Sequence, residues 1–445
     1  MLRAPTPLGA SASSRGAREQ EEATVVGAGR QGDPRSPADQ ATVRRLNLAL
    51  VMQRLATGPR TRARLAEDTG LNKATVSSLI TELIDRDLVT EGHIDRGGLG
   101  RPGRTVEVHP GGPRFIGAEL QTGYAEGVLT DLTGRVLARH RVAESMTDLG
   151  PERSLALVAE LARELVERGG AHPADVQSVH LAVPGLVDTA AGALSFAPNL
   201  HWSDVDVVGT LHHRLGWCSA RIGVDNDANM GAMAHWAVGD VAGTRNLVYL
   251  AGNAGVGAGL IVDGHIVRGS SGFAGEVGHL AIGPSGRECG CGRTGCWETA
   301  VGLTALLTSV AEPGDRLRDE HIDVEVRVQG VCDLIAAGDP RARRSVGDQA
   351  QWLGTGVAML CQVLDPDVVV LGGHYPALRE HLQDAVAHAL RTAALPPGGL
   401  RTRVVFSPLR FSAVALGAAY VGIHQVLADP TLVPISPPVR EAGSA

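Results

Sequence analysis

The sequence predicts an α/β protein in which an N-terminal winged helix-turn-helix precedes a larger body of alternating strands and helices. Three observations carry this reading. Residues 43–83 hold three apolar-periodic segments punctuated by Gly58-Pro59 and Gly70, and a basic glycine-rich bend between two strand-like stretches follows. From Phe115 onward, short apolar runs alternate with helical patterns and glycine turns, as in an α/β body with largely buried sheets. The formal charge of -7 is unevenly distributed: residues 1–40 are neutral, residues 41–110 carry +3 and residues 111–445 carry -10. Contact with nucleic acid is therefore expected in the basic module alone.

A chain of 445 residues is long enough for two or three domains with sizeable cores. Aromatics make up only 3 %, so aliphatic side chains and alanine must fill the interior. No apolar run is expected to cross a bilayer, and the N-terminus lacks a secretory apolar core. Six cysteines in a chain this long, half of them in one cluster, do not read as a disulfide framework. The expectation is a cytoplasmic protein with no membrane partner.

Residues 1–40, rich in Gly, Ala, Ser and Pro, are expected to be a disordered arm. The stretch VRRLNLALVMQRLATG then places Val43, Leu46, Leu50 and Leu55 near helical spacing, and Gly58-Pro59 ends that helix. Thr61 caps a second helix that closes at Gly70. A third starts at Asn72 and buries Val76, Leu79, Ile80 and Leu83. Lys73, the sole lysine in the chain, lies with Thr75, Ser77 and Ser78 at the start of this expected recognition helix. LVTEGHI and TVEVH read as a two-stranded wing joined by RGGLGRPGR. Arg96, Arg101 and Arg104 project from it toward phosphates or the minor groove. A small helical protein-interaction domain with a basic loop is the plainer alternative for residues 41–110.

In the body, FIGAEL, AEGVLTDLTG and RVLARHRV suggest a meander, followed by the helix LALVAELARELVERG and the buried strand SVHLAVPGLVD. Asn226 and Asp227 sit where a strand ends and a helix begins. That is a usual place for ligand groups in α/β proteins, and equally a place for a helix cap. Between Gly275 and Glu298, His279 precedes Cys289, Cys291 and Cys296, spaced C-x-C-x4-C with glycines at 290, 292 and 295. Three thiolates and one imidazole make a closed tetrahedral set suited to structural Zn2+, with no open position for water. Reduced cysteines in a glycine-rich turn are the alternative. The tail from Pro430 reads as loose.

The order AVPGLVD, PNLHW, VDNDAN, GVGAGLIVDGHIVRG, GEVGH, CGCGRTGCWE, VVLGG and LGAAY across residues 115–425 resembles the ROK family of repressors, open reading frames and kinases. With the winged module in front, the chain resembles the family's sugar-responsive regulators of the xylose and N-acetylglucosamine type. The resemblance implies a two-lobed, actin-like or ribonuclease-H-like body. It also implies sugar contacts at the positions of Asn226, Asp227, Glu276, His279 and Glu298, with Asp227 matching the base of the family's kinases. Carboxylates and amides that each grip two neighbouring hydroxyls suit a pyranose.

Family kinases carry an Asp-x-Gly-Gly-Thr turn and a Gly-Thr-Gly turn for nucleotide phosphates. Here the equivalent stretches read Glu119-Leu120-Gln121-Thr122-Gly123 and Asn253-Ala254-Gly255. Both departures predict that phosphoryl transfer is lost, because positioning of the phosphates supplies most of its rate. Gly255, Gly257 and Gly259 then read as close-packing positions. The expected organisation is an arm (1–40), a winged helix-turn-helix (41–110), a sugar-binding body with the zinc motif (111–428) and a loose tail (429–445). The expected function is a sugar-responsive repressor of carbohydrate metabolism genes. Its expected partners are a double-stranded DNA operator, a sugar or sugar phosphate effector, and further copies of itself in a homodimer or homotetramer. A sugar kinase with a DNA-binding extension and a zinc-dependent protein-interaction regulator are the alternatives.

Overall fold

The N-terminal winged module is built first, from α1 (Gln40–Ala56), β1 (Arg60–Thr61), α2 (Arg62–Thr69), α3 (Lys73–Asp85), β2 (Val89–Asp95) and β3 (Gly103–Val108). This is a computed structural model, describing residues 39–95, 103–239, 241–393 and 401–435. The arm, most of the bend with Arg96 and Arg101, and the last ten residues lie outside the described residues. Local chemistry sets the helix ends. Thr61 accepts from Arg64 N at 3.2 Å, Asn72 accepts from Thr75 N at 2.8 Å, and Gly70 ends α2 with φ +71°. The strands pair antiparallel in the order β1-β3-β2. Val76, Leu79, Ile80 and Leu83 of α3 are buried, each worth about 1.5–3 kcal/mol.

In α1 the expected apolar face is not the one that packs. Val43 and Leu46 are exposed and Leu50 is half-buried, while Leu48, Val51, Met52 and Leu55 enter the core. Of the expected set only Leu55 is buried. The helix carries two apolar faces, and distant chain decides between them. Leu48 and its neighbours share a cluster with Phe115, Ile423, Val426 and Val433 from the body and the tail.

The body starts with β4 (Arg114–Leu120), β5 (Tyr124–Asp131), β6 (Val136–Ala143), α4 (Met146–Arg168) and β7 (Val176–Val183). A small antiparallel sheet of β8 (Leu186–Asp188), β9 (Ala193–Ala197) and β10 (Trp202–Asp206) follows, then α5 (Val207–Leu215), β11 (Arg221–Asn226) and α6 (Asp227–Ala237). The second half holds β12 (Leu247–Gly252), β13 (Val256–Val262), β14 (His265–Ile266), α7 (Glu298–Val301), α8 (Leu303–Val310), α9 (Val324–Ala336) and α10 (Pro340–Leu364). It ends with β15 (Val368–Gly373), α11 (Arg379–Ala393), β16 (Arg403–Phe406) and α12 (Ala413–Ala428). The two five-stranded sheets, β11-β7-β4-β5-β6 and β14-β13-β12-β15-β16, have the same connectivity. Each is an antiparallel meander whose first strand is flanked by two further parallel strands.

Against the expectation that no apolar run is long enough, Arg410–Ala428 has the length and apolarity to cross a membrane. Its surface is spent on packing instead. A Cβ at Gly417 would lie 1.7 Å from the Met230 carbonyl of α6, and one at Gly117 of β4 would lie 2.0 Å from the Ala415 carbonyl. The small residues thus let α12 approach both α6 and β4 to backbone contact. At its far end, Ile423 and Val426 join the core of the winged module.

The tail does not leave the surface directly. Pro430 and Val433 are buried, and Arg86 Nη1 donates to the carbonyls of Val433 at 2.5 Å and Thr431 at 3.5 Å. Looseness from residue 429 is thus corrected for 429–433: an apolar pair and an arginine fork dock it against the winged module.

Candidate functional site

A cleft opens where the turn after β4, the turn after β12, the N-terminus of α6 and the cysteine-bearing loop converge. Asn226, Asp227, Glu276, His279 and Glu298 all line it, so three separate stretches of the sequence meet in one cleft. Gln121, Asn199 and Asn253 add three amides that sequence reasoning passed over. Only PNLHW, which contains Asn199, was a usable signal; the other two lie in turns read for what they lacked.

Asn226 caps α6 as well as lining the cleft. Its Oδ1 accepts from Ala228 N at 2.9 Å and Asn229 N at 3.3 Å, while its Nδ2 donates to the Gly185 carbonyl at 3.0 Å. Asp227 is buried, with Oδ2 accepting from Gln121 Nε2 at 2.6 Å and Asn253 Nδ2 at 3.3 Å. Burial raises its pKa, although these hydrogen bonds pull the other way. Burial, with the carboxylates of Asp227 and Glu298 nearby, pushes Glu276 up to about 7. Glu119, under the same turn, is fully buried. Burial and the neighbouring Glu126 and Asp227 hold it well above the usual carboxylate range. Three carboxylates and four amides therefore face a cleft with no Lys or Arg in its lining, which favours a neutral ligand rich in hydroxyl donors and acceptors over an anion.

The loop from Gly275 to Glu298 holds the second feature. Gly292 and Gly295 take positive φ (+83° and +76°), curling the chain so that Cys289, Cys291 and Cys296 face His279. The four ligand atoms lie within 4.8 Å of one another. Cys291 Sγ and Cys296 Sγ are 3.7 Å apart, and Cys289 Sγ is 3.6 Å from His279 Nδ1. A tetrahedron with Zn–S near 2.3 Å has S···S edges of about 3.8 Å and S···N edges of about 3.6 Å. The donor set and its spacing fit a tetrahedral metal ion. His279 turns its other nitrogen, Nε2, toward Glu276 Oε2 at 3.7 Å. Glu298 lies between the two features: Oε1 accepts from Cys289 Sγ at 2.8 Å, and Oε2 from Val256 N at 3.4 Å.

The loop is anchored by Trp297. It is fully buried, donates through Nε1 to the Trp352 carbonyl of α10 at 2.9 Å, and rests on Gly356, where a Cβ would come within 2.0 Å of the ring. Close packing also accounts for Gly259 of β13 and Gly255 in the turn before it. A Cβ at Gly259 would lie 2.1 Å from the Ala228 carbonyl, and one at Gly255 would lie 2.3 Å from Glu298 Oε2.

In the winged module, Lys73 and Ser78 are exposed at the start and middle of α3, and Thr75 and Ser77 are half-buried. Ser78 Oγ accepts from Arg44 at 3.4 Å, and Arg44 also pairs with Glu82. Arg104 is exposed on β3, 3.7 Å from Glu91.

Comparison with known proteins adds the following. The chain is 29 % identical over 393 residues to a xylose repressor of Bacillus spizizenii, covering 88 % of this chain and 98 % of that protein. A solved ROK family transcriptional regulator, a homologue of the E. coli MLC protein, superposes with a TM-score of 0.69 at 26 % identity, covering 88 % of this chain and 98 % of its own. A ROK family glucokinase from Streptomyces griseus, solved with glucose and AMPPNP, superposes with a TM-score of 0.59 at 26 % identity, covering 69 % of this chain. The match to the repressor is too long to come from residues 111–445 alone, so it runs into the winged module. The model of the ROK family matches residues 116–424, which hold both sheets, the cleft and the cysteine cluster, and the chain therefore belongs to the ROK family.

Proposed function

We propose that the chain is a sugar-responsive DNA-binding repressor of carbohydrate metabolism genes, acting in the cytoplasm as a homodimer or homotetramer. The observation that carries this is the match of 393 residues to a xylose repressor, which joins the winged module to the cleft-bearing body in one protein. In this reading Lys73, Thr75, Ser77, Ser78, Arg96, Arg101 and Arg104 contact a double-stranded operator, and Asn226, Asp227, Glu276, His279 and Glu298 hold a sugar. Zn2+ bound by His279, Cys289, Cys291 and Cys296 holds the loop in shape. With Nδ1 of His279 on the metal, Nε2 becomes a fixed donor at the cleft wall.

The chain is a regulator and not a kinase. The turn that would wrap nucleotide phosphates carries Gln121, whose amide is hydrogen-bonded to the Asp227 oxygen that a base would use on the attacking hydroxyl.

The test measures operator affinity by fluorescence anisotropy with and without neutral pentoses, hexoses and N-acetylhexosamines. A sugar that binds the wild type is expected to change operator affinity by about tenfold, since a ligand shifts a two-state equilibrium only by its differential affinity. Asp227→Ala is expected to lose that response while retaining operator binding. A bound sugar that leaves operator affinity unchanged overturns the reading.

A further inference from the structure

We propose that the effector is longer than one sugar ring: a pocket adjoining the Asp227 cleft seats a second ring, and the ligand is a neutral disaccharide. The proposal rests on the reading of that cleft as a sugar site. The pocket lies between the cysteine-bearing loop and α8. Its volume of about 500 Å³ falls inside the range of about 300–1,000 Å³ usual for small-molecule sites. It shares Asn199, Gly255 and Glu298 with the cleft, and none of Gln121, Asn226, Asp227 or Glu276 lines it. It therefore opens from the Glu298 end of the cleft, away from Asp227.

The threshold between the two spaces is polar. A Cβ at Gly255 would lie 2.3 Å from Glu298 Oε2 and 2.9 Å from Asn199 Nδ2, and one at Gly290 would lie 3.3 Å from Asn199 Oδ1. Glycine at these two positions leaves the amide and the carboxylate room to stand beside the turn; a side chain at 255 would displace both. The Asn199 amide makes no hydrogen bond among the described residues. Its donor and its acceptor are thus both free at the point where a glycosidic link would pass.

The walls decide the chemistry of what fills the pocket. Thr304 and Thr308 of α8 are exposed there, and neither hydroxyl has a partner among the described residues. No aromatic or large aliphatic side chain lines the pocket, which disfavours an apolar aglycone. Arg287 is the only cation in the lining, and its Nη1 already donates to the Thr299 carbonyl at 2.9 Å. Glu288 and Glu298 line the same space. An anionic group would meet two carboxylates for one guanidinium, whereas a ring of hydroxyls finds both donors and acceptors.

The test uses the full chain. Xylose, glucose and N-acetylglucosamine are compared by calorimetry with xylobiose, cellobiose, maltose and N,N′-diacetylchitobiose, against wild type, Thr308→Trp, Ala305→Leu and Asp227→Ala. At least one disaccharide is expected to bind the wild type about tenfold or more tighter than its own monosaccharide, the gain of two or three net hydrogen bonds. Thr308 and Ala305 line the pocket and not the cleft. Filling their side is expected to abolish that gain and to leave monosaccharide affinity at the wild-type value. Asp227→Ala is expected to lose both series. Monosaccharides bound as tightly as every disaccharide, or a disaccharide preference that survives both pocket variants, overturns the proposal and leaves the cleft as a one-ring site. Tighter binding of glucose 6-phosphate, titrated in parallel, than of any disaccharide overturns it as well. Failure of both series to bind overturns the sugar reading itself, and the proposal with it.

Discussion

His374 lies fully buried just beyond β15, and its partners dictate its protonation. Nδ1 donates to the Gly252 carbonyl at 2.7 Å, leaving Nε2 to accept from Gln349 Nε2 at 3.1 Å. Burial pushes its pKa down to about 4, and does the same to His180 and His235. Unfolded histidine titrates near 6.5, so between these values the unfolded chain binds protons that the native chain refuses. The stability these residues contribute is full above roughly pH 6.5 and is lost as pH falls toward about 4, at up to roughly 3 kcal/mol for each site. The urea midpoint of the wild type is expected to fall from pH 7 to pH 5, with a shallower slope in His374→Gln. Equal slopes in the two proteins would contradict a neutral His374.

At the scale of elements, the cysteine loop and its anchor behave as one unit. Trp297 follows Cys296 directly and is clamped to α10, and Glu298 follows Trp297 into the cleft, so three consecutive residues tie the cysteine cluster to the cleft wall. Cys289→Ser and Cys296→Ser are each expected to lower bound zinc from about one equivalent to none by elemental analysis, and to abolish the sugar response with it. A zinc-free variant with wild-type sugar affinity would separate the two.

This cluster was legible in the sequence because its ligands are local and their spacing is diagnostic. The caps Thr61 and Asn72 were legible for the same reason. The packing face of α1 was not, since the choice between the Val43–Leu46 face and the Leu48–Met52 face is made by residues 423–433. Gln121 and Asn253 escaped because each meets Asp227 only in the folded chain, Gln121 from 106 residues away in sequence and Asn253 from the other half of the body.

At the scale of the molecule, α12 links the winged module to both halves of the body. It approaches α6 at Gly417 and β4 at Gly117, and reaches the winged module through Ile423 and Val426. Asp227 begins α6, so the cleft and the DNA-reading module are joined by two helices in backbone contact. Gly417→Ala is expected to force these helices apart and to cost about 1–3 kcal/mol as overpacking. It should also weaken the effect of sugar on operator affinity by more than it weakens sugar binding itself. Unchanged coupling in this variant would rule out transmission through the α6–α12 contact.

The matching connectivity of the two sheets has one more consequence. The three residues after β4 and the three after β12 occupy equivalent places in the two halves, and each sends one amide to the same oxygen, Oδ2 of Asp227. That atom works as a buckle. Moving the halves apart unfastens at least one strap, and a hydroxyl arriving from outside can fasten in its place without leaving the carboxylate bare.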